Sequence, residues 1–201
     1  QTKKEISLSH ELLRDARIFW LLLHVDREYA AQVRAGRCLL CGGRLDTSDY
    51  PRKPRGGPPA ELASEYSLRF SFCCAVDGCR TRATPVSVRF LGRRVYLGAA
   101  VVLVSAMLHG VTEKRVAELR DRVHPTLGKD TLLRWRTWWR ETLPEMPFWK
   151  AARACFDRPV DEADLPASLL ARFGDDERDR LVAALKFLSP LTARPRSARA
   201  G

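Results

Sequence analysis

The chain has 201 residues, 45% of them apolar and 29% charged, and a formal net charge of +11. That balance excludes wholesale disorder, and the length excludes a large multidomain enzyme with a regulatory half. Six cysteines are too few for a disulfide scaffold, and the apolar runs at 18–23 and 96–108 fall short of the roughly 18 to 20 residues that span a bilayer.

The first apolar run follows no cationic leader and precedes no small-residue cleavage pattern, so the expectation is a cytoplasmic protein, associated with the nucleoid if it binds DNA. Thiols stay reduced there, and clustered cysteines more often hold metal than pair. The charge is uneven. Residues 1–35 carry six basic and five acidic groups, 37–95 eleven and five, 96–150 nine and six, and 151–201 nine and eight. The middle of the chain therefore holds most of the positive field and five of the six cysteines. A local cationic surface of this kind draws phosphate backbones through counterion release.

In chain order, Ser9 is placed to cap a helix over 10–34, with Leu12, Phe19, Leu22 or Leu23 and Val33 near helical spacing and Gly36 as the stop. Cys38-Leu-Leu-Cys41-Gly-Gly is a compact turn, and 44–50 is short and extended. Residues 51–59, Pro-Arg-Lys-Pro-Arg-Gly-Gly-Pro-Pro, form neither helix nor central strand and read as a basic loop. Residues 66–74 alternate, with Tyr66, Leu68, Phe70 and Phe72 on one face and Ser67, Arg69 and Ser71 on the other, as in a half-buried strand. A second turn follows over Cys74–Cys79, and Val86–Phe90 alternates again. Helices are expected over 96–108, 112–123 and 129–143, the last ended by Pro144 and Pro147. Shorter ones follow at 148–156, 165–173 and 176–188, the last capped by Asp175 or Asp176 and buried through Leu181, Val182, Leu185 and Leu188.

The cysteine spacing carries the most chemistry. Cys38-x2-Cys41 and Cys74-x4-Cys79 are two turns that each offer two thiolates, and together they complete a tetrahedron around Zn2+. Gly42, Gly43 and Gly78 let backbone amides point at the sulfurs. Cys73 competes for the third position, but it continues the polar face of its strand, whereas Cys74 ends the strand and opens the turn, which favours Cys74. No βαβ pattern surrounds Cys38, which argues against a redox motif, and the solitary Cys155 reads as a small core residue.

Two stretches read as nucleic-acid contacts. On the 129–143 helix, Leu132, Trp135, Trp139 and Leu143 form a buried stripe, Trp138 breaks it, and Lys129, Arg134, Arg136 and Arg140 face elsewhere. A cationic helix with its other face buried suits a major groove. In the basic loop, Arg52, Lys53 and Arg55 lie in a strip that resembles the AT-hook, with Gly57 where that motif has its second arginine.

A four-cysteine ribbon followed at once by a helix-turn-helix, over 38–143, resembles the N-terminal DNA-binding region of bacterial insertion-sequence transposases. The resemblance implies a ribbon and helices that recognise the terminal repeats of a mobile element. It also implies a following RNase H-like domain whose three spaced carboxylates bind two Mg2+. About sixty residues follow Leu143, and their acids, Asp161, Glu162, Asp164, Asp175, Asp176, Glu177 and Asp179, crowd into two short clusters. Binding therefore carries over and catalysis does not. GxxxxGK[ST], GxGxxG and GxSxG are absent, and His10, His24, His109 and His124 are each isolated.

The expected fold is mainly α with a small β zinc ribbon, an α+β arrangement: an N-terminal helix over 1–36, a four-cysteine zinc ribbon over 37–95, a helix-turn-helix over 96–147, a C-terminal helical segment over 148–191 and a disordered basic tail over 192–201. The expected activity is non-catalytic, Zn2+-dependent binding of double-stranded DNA as an accessory or regulatory factor of a mobile element. RNA binding, or docking on a larger recombinase, transposase or nuclease, is the alternative.

Overall fold

The computed structural model describes residues 10–53, 58, 60–91, 96–106, 112–122 and 127–193. It is a mixed α/β molecule with small antiparallel sheets. No helix among the described residues is long and apolar enough to cross a membrane.

A 3-10 turn, His10–Leu13, precedes helix α1, Ala16–Ala35. The helix starts later than expected because Asp15, in an extended conformation, is the N-cap and accepts a 2.9 Å hydrogen bond from the Arg17 amide; Ser9 lies outside the described residues. Ile18, Phe19, Leu22, Leu23, Val25 and Ala30 form the buried face, and Asp26 is buried among them.

Among the described residues, the middle of the chain makes three small sheets. Strands β1 (Leu45–Thr47), β4 (Phe72–Cys74) and β5 (Arg82–Ala83) form one antiparallel sheet in the order β1-β4-β5. Strands β2 (Tyr50–Pro51) and β3 (Leu68–Arg69) pair separately, as do β6 (Phe90–Leu91) and β7 (Tyr96–Leu97). Between β2 and β3 lie a 3-10 turn, Ala60–Leu62, and a single helical turn, α2 (Ala63–Tyr66).

The one strand expected over 66–74 is thus a helical turn and two strands in different sheets. The break falls at Ser71, whose amide bonds Asp49 Oδ1 at 2.8 Å and whose carbonyl accepts the Ser48 amide at 2.8 Å. The expected polar face is also corrected, because Arg69 and Ser71 are buried. Arg69 Nη2 donates to the Pro85 carbonyl, and Ser71 Oγ sits among Thr84 and Arg82.

The expected strand at 86–90 is irregular up to Phe90, because its polar groups are taken by a buried ion pair. Asp26 accepts from Arg89 Nε at 2.7 Å, Ser87 Oγ at 2.5 Å and the Val88 amide at 2.7 Å. The far side of the Arg89 guanidinium donates to the carbonyls of Tyr66 and Leu68, each at 2.7 Å, and lies over the rings of Tyr66, Phe70 and Phe90. One fully buried arginine thereby joins α1 to the chain that leads into β3.

Helix α3 (Gly98–Ala106) is apolar on all sides, and Ala99–Val104 are buried. Its first residue is glycine for lack of room: a Cβ there would lie 2.7 Å from the Val88 carbonyl and 2.9 Å from Leu185 Cδ2. Helices α4 (Glu113–Arg122) and α5 (Lys129–Thr137) follow. Of the expected turn between them, 124–128, residues 124–126 lie outside the described residues. Arg120 Nε reaches the Leu127 carbonyl at 2.8 Å, and Gly128 precedes the first turn of α5.

The buried stripe of α5 is as the spacing predicts, with Leu132, Trp135, Trp139 and Leu143 all enclosed. Trp138 packs edge-on against Trp139 at 4.8 Å. Pro144 does not end the helix. The chain widens into a π-helical turn, Trp138–Thr142, and continues as α6 (Leu143–Glu145), with Pro144 in its first turn. A proline has no N–H for the preceding turn, and the wider turn absorbs the missing bond.

Helices α7 (Pro147–Ala152), α8 (Ala167–Leu170) and α9 (Glu177–Leu188) complete the body, with Asp176 capping α9 through the Asp179 amide at 2.9 Å. Phe148, Trp149, Phe156, Phe173 and Phe187 form an aromatic cluster. Residues from α1, α3, α5 and α9 share one core, so the 96–147 and 148–191 segments pack as one. Two expectations are corrected. Cys155, in the short 3-10 turn after α7, is exposed. Thr192, placed in the tail, belongs to the body, because its Oγ1 accepts the Ser87 amide at 2.8 Å; 194–201 lie outside the described residues.

The buried Trp149 indole donates to Glu162 at 2.7 Å, and Arg153 reaches the same carboxylate at 2.6 Å. These bonds, the indole's first, hold the Glu162 carboxyl below its usual value. Glu162→Ala should therefore cost about 1–2 kcal/mol by orphaning a buried donor. The wild type should lose only part of that contribution as pH falls through the lowered value, since the charge adds stability only while ionised, the site is open to solvent, and a protonated carboxyl still accepts from the indole. Urea unfolding of both proteins at neutral and acidic pH checks this; an unchanged difference between them would refute it.

Candidate metal centre

The first cysteine turn leaves α1 through Gly36 and Arg37, the latter at φ 57°. The Cys38 amide donates to the Gly43 carbonyl at 2.9 Å, and the Gly42 amide returns to the Cys38 carbonyl at 2.7 Å. Gly42 turns the chain at φ 69°, a conformation glycine adopts without steric cost. The second turn is closed by Cys79 and Arg80 amides donating to the Val76 carbonyl at 3.1 and 3.3 Å, with Gly78 at φ 84°. The sheet brings the two turns together. Leu45 lies opposite Cys74 in the β1–β4 register, and the Ala75 amide bonds the Arg44 carbonyl at 2.9 Å.

The four sulfurs of Cys38, Cys41, Cys74 and Cys79 lie within 4.8 Å of one another, a group able to hold a metal ion. Cys38 and Cys79 are 3.7 Å apart, and Cys41 and Cys74 are 3.4 Å apart. Zn–S bonds of about 2.3 Å in a tetrahedron require sulfurs about 3.8 Å apart, so the donor set fits such an ion with small adjustments. Cys73 stands outside the group. It pairs with Asp46 and Arg82 across the sheet, and its Sγ turns to the Arg80 carbonyl at 3.4 Å. Strand alternation sends neighbours to opposite faces, and Cys74 is the one that faces the other sulfurs.

The surroundings act on the thiols in opposite directions. The Thr81 hydroxyl, then the Thr81 amide, draw the Cys79 thiol down to about 6. The Val76 amide, 3.5 Å from Cys74 Sγ, acts in the same direction, but burial and the three other sulfurs outweigh it and push Cys74 up to about 12. Four thiolates in so small a volume repel one another, and a divalent cation removes that repulsion. Beneath the sulfurs lies a small apolar cluster of Ala30, Leu45 and Phe72, with Val33 against it, so the C-terminal half of α1 is the floor of the ribbon.

Gly43 is demanded by closeness. A Cβ there would lie 2.5 Å from Val76 Cγ2, 3.1 Å from Cys74 Sγ and 3.2 Å from Cys41 Sγ. Gly43→Ala should therefore weaken metal binding about five- to hundredfold, by about 1–3 kcal/mol of overpacking, whereas an alanine at Gly36, whose nearest neighbour would be at 3.5 Å, should not. Competition with a chromophoric chelator measures both, and equal affinities would refute the crowding argument.

The residues expected to touch nucleic acid are spread over two places. Arg52 is half-buried and Lys53 exposed, beside β2; Arg55 lies outside the described residues. On α5, Lys129 is held by Glu113 at 3.0 Å, and Arg134 turns to Thr131 Oγ1 at 3.1 Å. Arg136 and Arg140 line a shallow cavity with Ser105, Leu132, Trp139 and Leu165. Three features escaped the sequence reading. Arg82 stands with Arg52 over the Tyr50 ring; an alternating arginine in a short strand was the available signal. Arg69 is buried, and that burial pulls its guanidinium below its ordinary value. The tips of the two turns expose Leu39 and Leu40, 71% and 77% open, and Val76.

Compared with family models, curated proteins and solved structures, the chain matches none.

Proposed function

We propose that this chain is a non-catalytic, Zn2+-dependent DNA-binding protein, serving as an accessory or regulatory factor of a mobile element. The observation that carries the reading is the convergence of four cysteine sulfurs in a ribbon on a chain of net charge +11. An all-sulfur tetrahedral donor set favours Zn2+ among common metals, and such an ion contributes structure by tying two turns into one unit. Segment 37–95, which contains the ribbon, carries eleven basic against five acidic residues. Arg136 in α5 and Arg140 in the π-helical turn after it, which line one cavity, supply a second cationic element. The mobile-element role is drawn from the transposase-like order of ribbon and helices.

The test is a gel shift on unbiased duplex fragments, with the metal content of the same sample measured. One equivalent of Zn2+ and binding that weakens at least a hundredfold between about 50 and 200 mM salt are expected. Binding indifferent to salt, or no binding, overturns the reading, and preferential competition by structured RNA moves it to RNA. Arg136→Ala should weaken duplex binding about tenfold through loss of one charged contact, with unfolding unchanged; equal affinity would remove Arg136 from the interface.

The exposed Leu39, Leu40 and Val76 favour a second reading, a protein adaptor, because aliphatic side chains gain nothing from phosphate. Co-purification of a recombinase or nuclease that Leu40→Asp abolishes, with no nucleic-acid shift by the isolated chain, would support it.

A further inference from the structure

Tyr50 is the centre of an unusual concentration of charge. The Arg52 guanidinium lies 5.0 Å from its ring centroid and that of Arg82 5.6 Å. Arg52 also donates to the Tyr50 hydroxyl at 3.1 Å. Arg82 is anchored to Ser48 Oγ at 3.3 Å, to the Ser48 carbonyl at 3.3 Å and to Ser71 Oγ at 3.1 Å. All of these partners are neutral. Among the described residues no carboxylate lies within ion-pair distance of either arginine, although Arg44, nearby in the chain, is paired with Asp46.

A third arginine closes the group. Arg69 lies directly opposite Tyr50 in the β2–β3 register, so the two side chains share a face. Arg69 is 4% exposed, and its Nη1 has no hydrogen-bond partner. Because that atom is enclosed, Arg69 adds positive charge behind Tyr50, Arg52 and Arg82 and takes no direct bond from a ligand. Lys53, exposed at the next position after Arg52, adds to the same field.

We infer that Tyr50, Arg52, Arg69 and Arg82 form a phosphate clamp on the ribbon, which takes a backbone phosphate of the bound nucleic acid. The aromatic ring and the serines hold two guanidinium planes in place before the ligand arrives, so little side-chain freedom is lost on binding. The chemistry is that of a phosphate oxyanion accepting several charged hydrogen bonds, indifferent to base sequence. The clamp rests on the DNA reading only for the source of the phosphate. It differs from the α5 surface in element and in task, since it fixes register and reads no base.

The experiment uses the full metal-loaded chain. Duplex affinity is measured against salt for the wild type, Arg52→Ala, Arg52→Lys and Tyr50→Leu, with Lys186→Ala as a control that removes an exposed charge on α9. Metal content and circular dichroism confirm the fold of each. Arg52→Ala should lower the magnitude of the slope of log K against log salt by about one and the affinity about tenfold. Arg52→Lys and Tyr50→Leu, which keep the charge, should lose affinity while keeping the slope, and Lys186→Ala should change neither. In a second arm, inorganic phosphate is titrated while the Nε–H signals of Arg52 and Arg82 are followed by NMR, and both should move together.

If the wild type binds duplex and the Arg52 variants match it, the clamp is overturned and the DNA reading stands. If duplex binding is absent but phosphate moves both arginine signals, the DNA reading fails and the clamp remains as a site for free phosphate. If neither duplex nor phosphate has an effect, both fail.

Discussion

Replacing Cys74 by serine is expected to strip the metal from the protein and unfold the ribbon while leaving the helical body folded. Serine is a poor ligand for a soft tetrahedral ion, and three sulfurs do not close the site. Among the described residues, the apolar cluster under the sulfurs has five buried members, two of them the candidate ligands Cys38 and Cys74. Too small to hold the ribbon alone, it would depend on a bound metal ion, whose binding would contribute on the order of 10 kcal/mol. The main core, by contrast, runs through α1, α3, α5 and α9 and includes buried Trp135, Trp139 and Trp149. The variant should therefore bind less than a tenth of an equivalent of Zn2+ and lose amide protection over β1, β4 and β5, yet keep the near-ultraviolet signal of its tryptophans. Cys73→Ser and Cys155→Ser should each keep a full equivalent, because neither sulfur belongs to the group. A full equivalent retained by Cys74→Ser would refute the ligand set.

The second large effect is expected at Asp26. Asp26→Ala leaves Arg89 fully buried with its Nε unmatched and deprives Ser87 and Val88 of their acceptor. Breaking one side of a buried pair costs about 3–5 kcal/mol, which is a large share of the stability of a domain this size. The damage should reach the ribbon's base, because the same guanidinium holds the Tyr66 and Leu68 carbonyls. Replacing both partners, Asp26→Leu with Arg89→Met, should recover part of the loss, since no charge is then left alone, while the groups of Ser87, Val88, Tyr66 and Leu68 stay unmatched. Urea unfolding of the two single variants and the double variant gives the coupling. A loss below about 1 kcal/mol in Asp26→Ala would mean that water or a rearranged side chain satisfies Arg89.

Parts of this arrangement were legible in the residues. The spacing of Cys38, Cys41, Cys74 and Cys79 announced two turns with one task, because intervals of two and four residues each set two thiolates in one tight loop. The stripe Leu132, Trp135, Trp139 and Leu143 announced a buried helix face, because its period matches the helical repeat. Other parts misled for the same reason. The alternation of 66–74 pointed to one strand, but alternation reports which faces are apolar and says nothing of which partner each residue pairs with. Ser71 hands its backbone bonds to Ser48 and Asp49, and the strand breaks there. Arg89 sat on the polar side of an alternating segment, and nothing nearby in sequence revealed a carboxylate sixty-three positions away.

By itself, the sequence determined the local quantities: which turns bend, which helix faces are apolar, where thiols cluster and which sign of charge dominates the middle of the chain. These follow from intervals of two to seven residues, where covalent geometry fixes how side chains are presented. Only the tertiary structure decided which of Cys73 and Cys74 faces the other sulfurs, that Asp26 and Arg89 are partners, and that Arg52, Arg69 and Arg82 surround one tyrosine. Each of these depends on distance through space between segments far apart along the chain, and that distance is set by sheet register and shared burial.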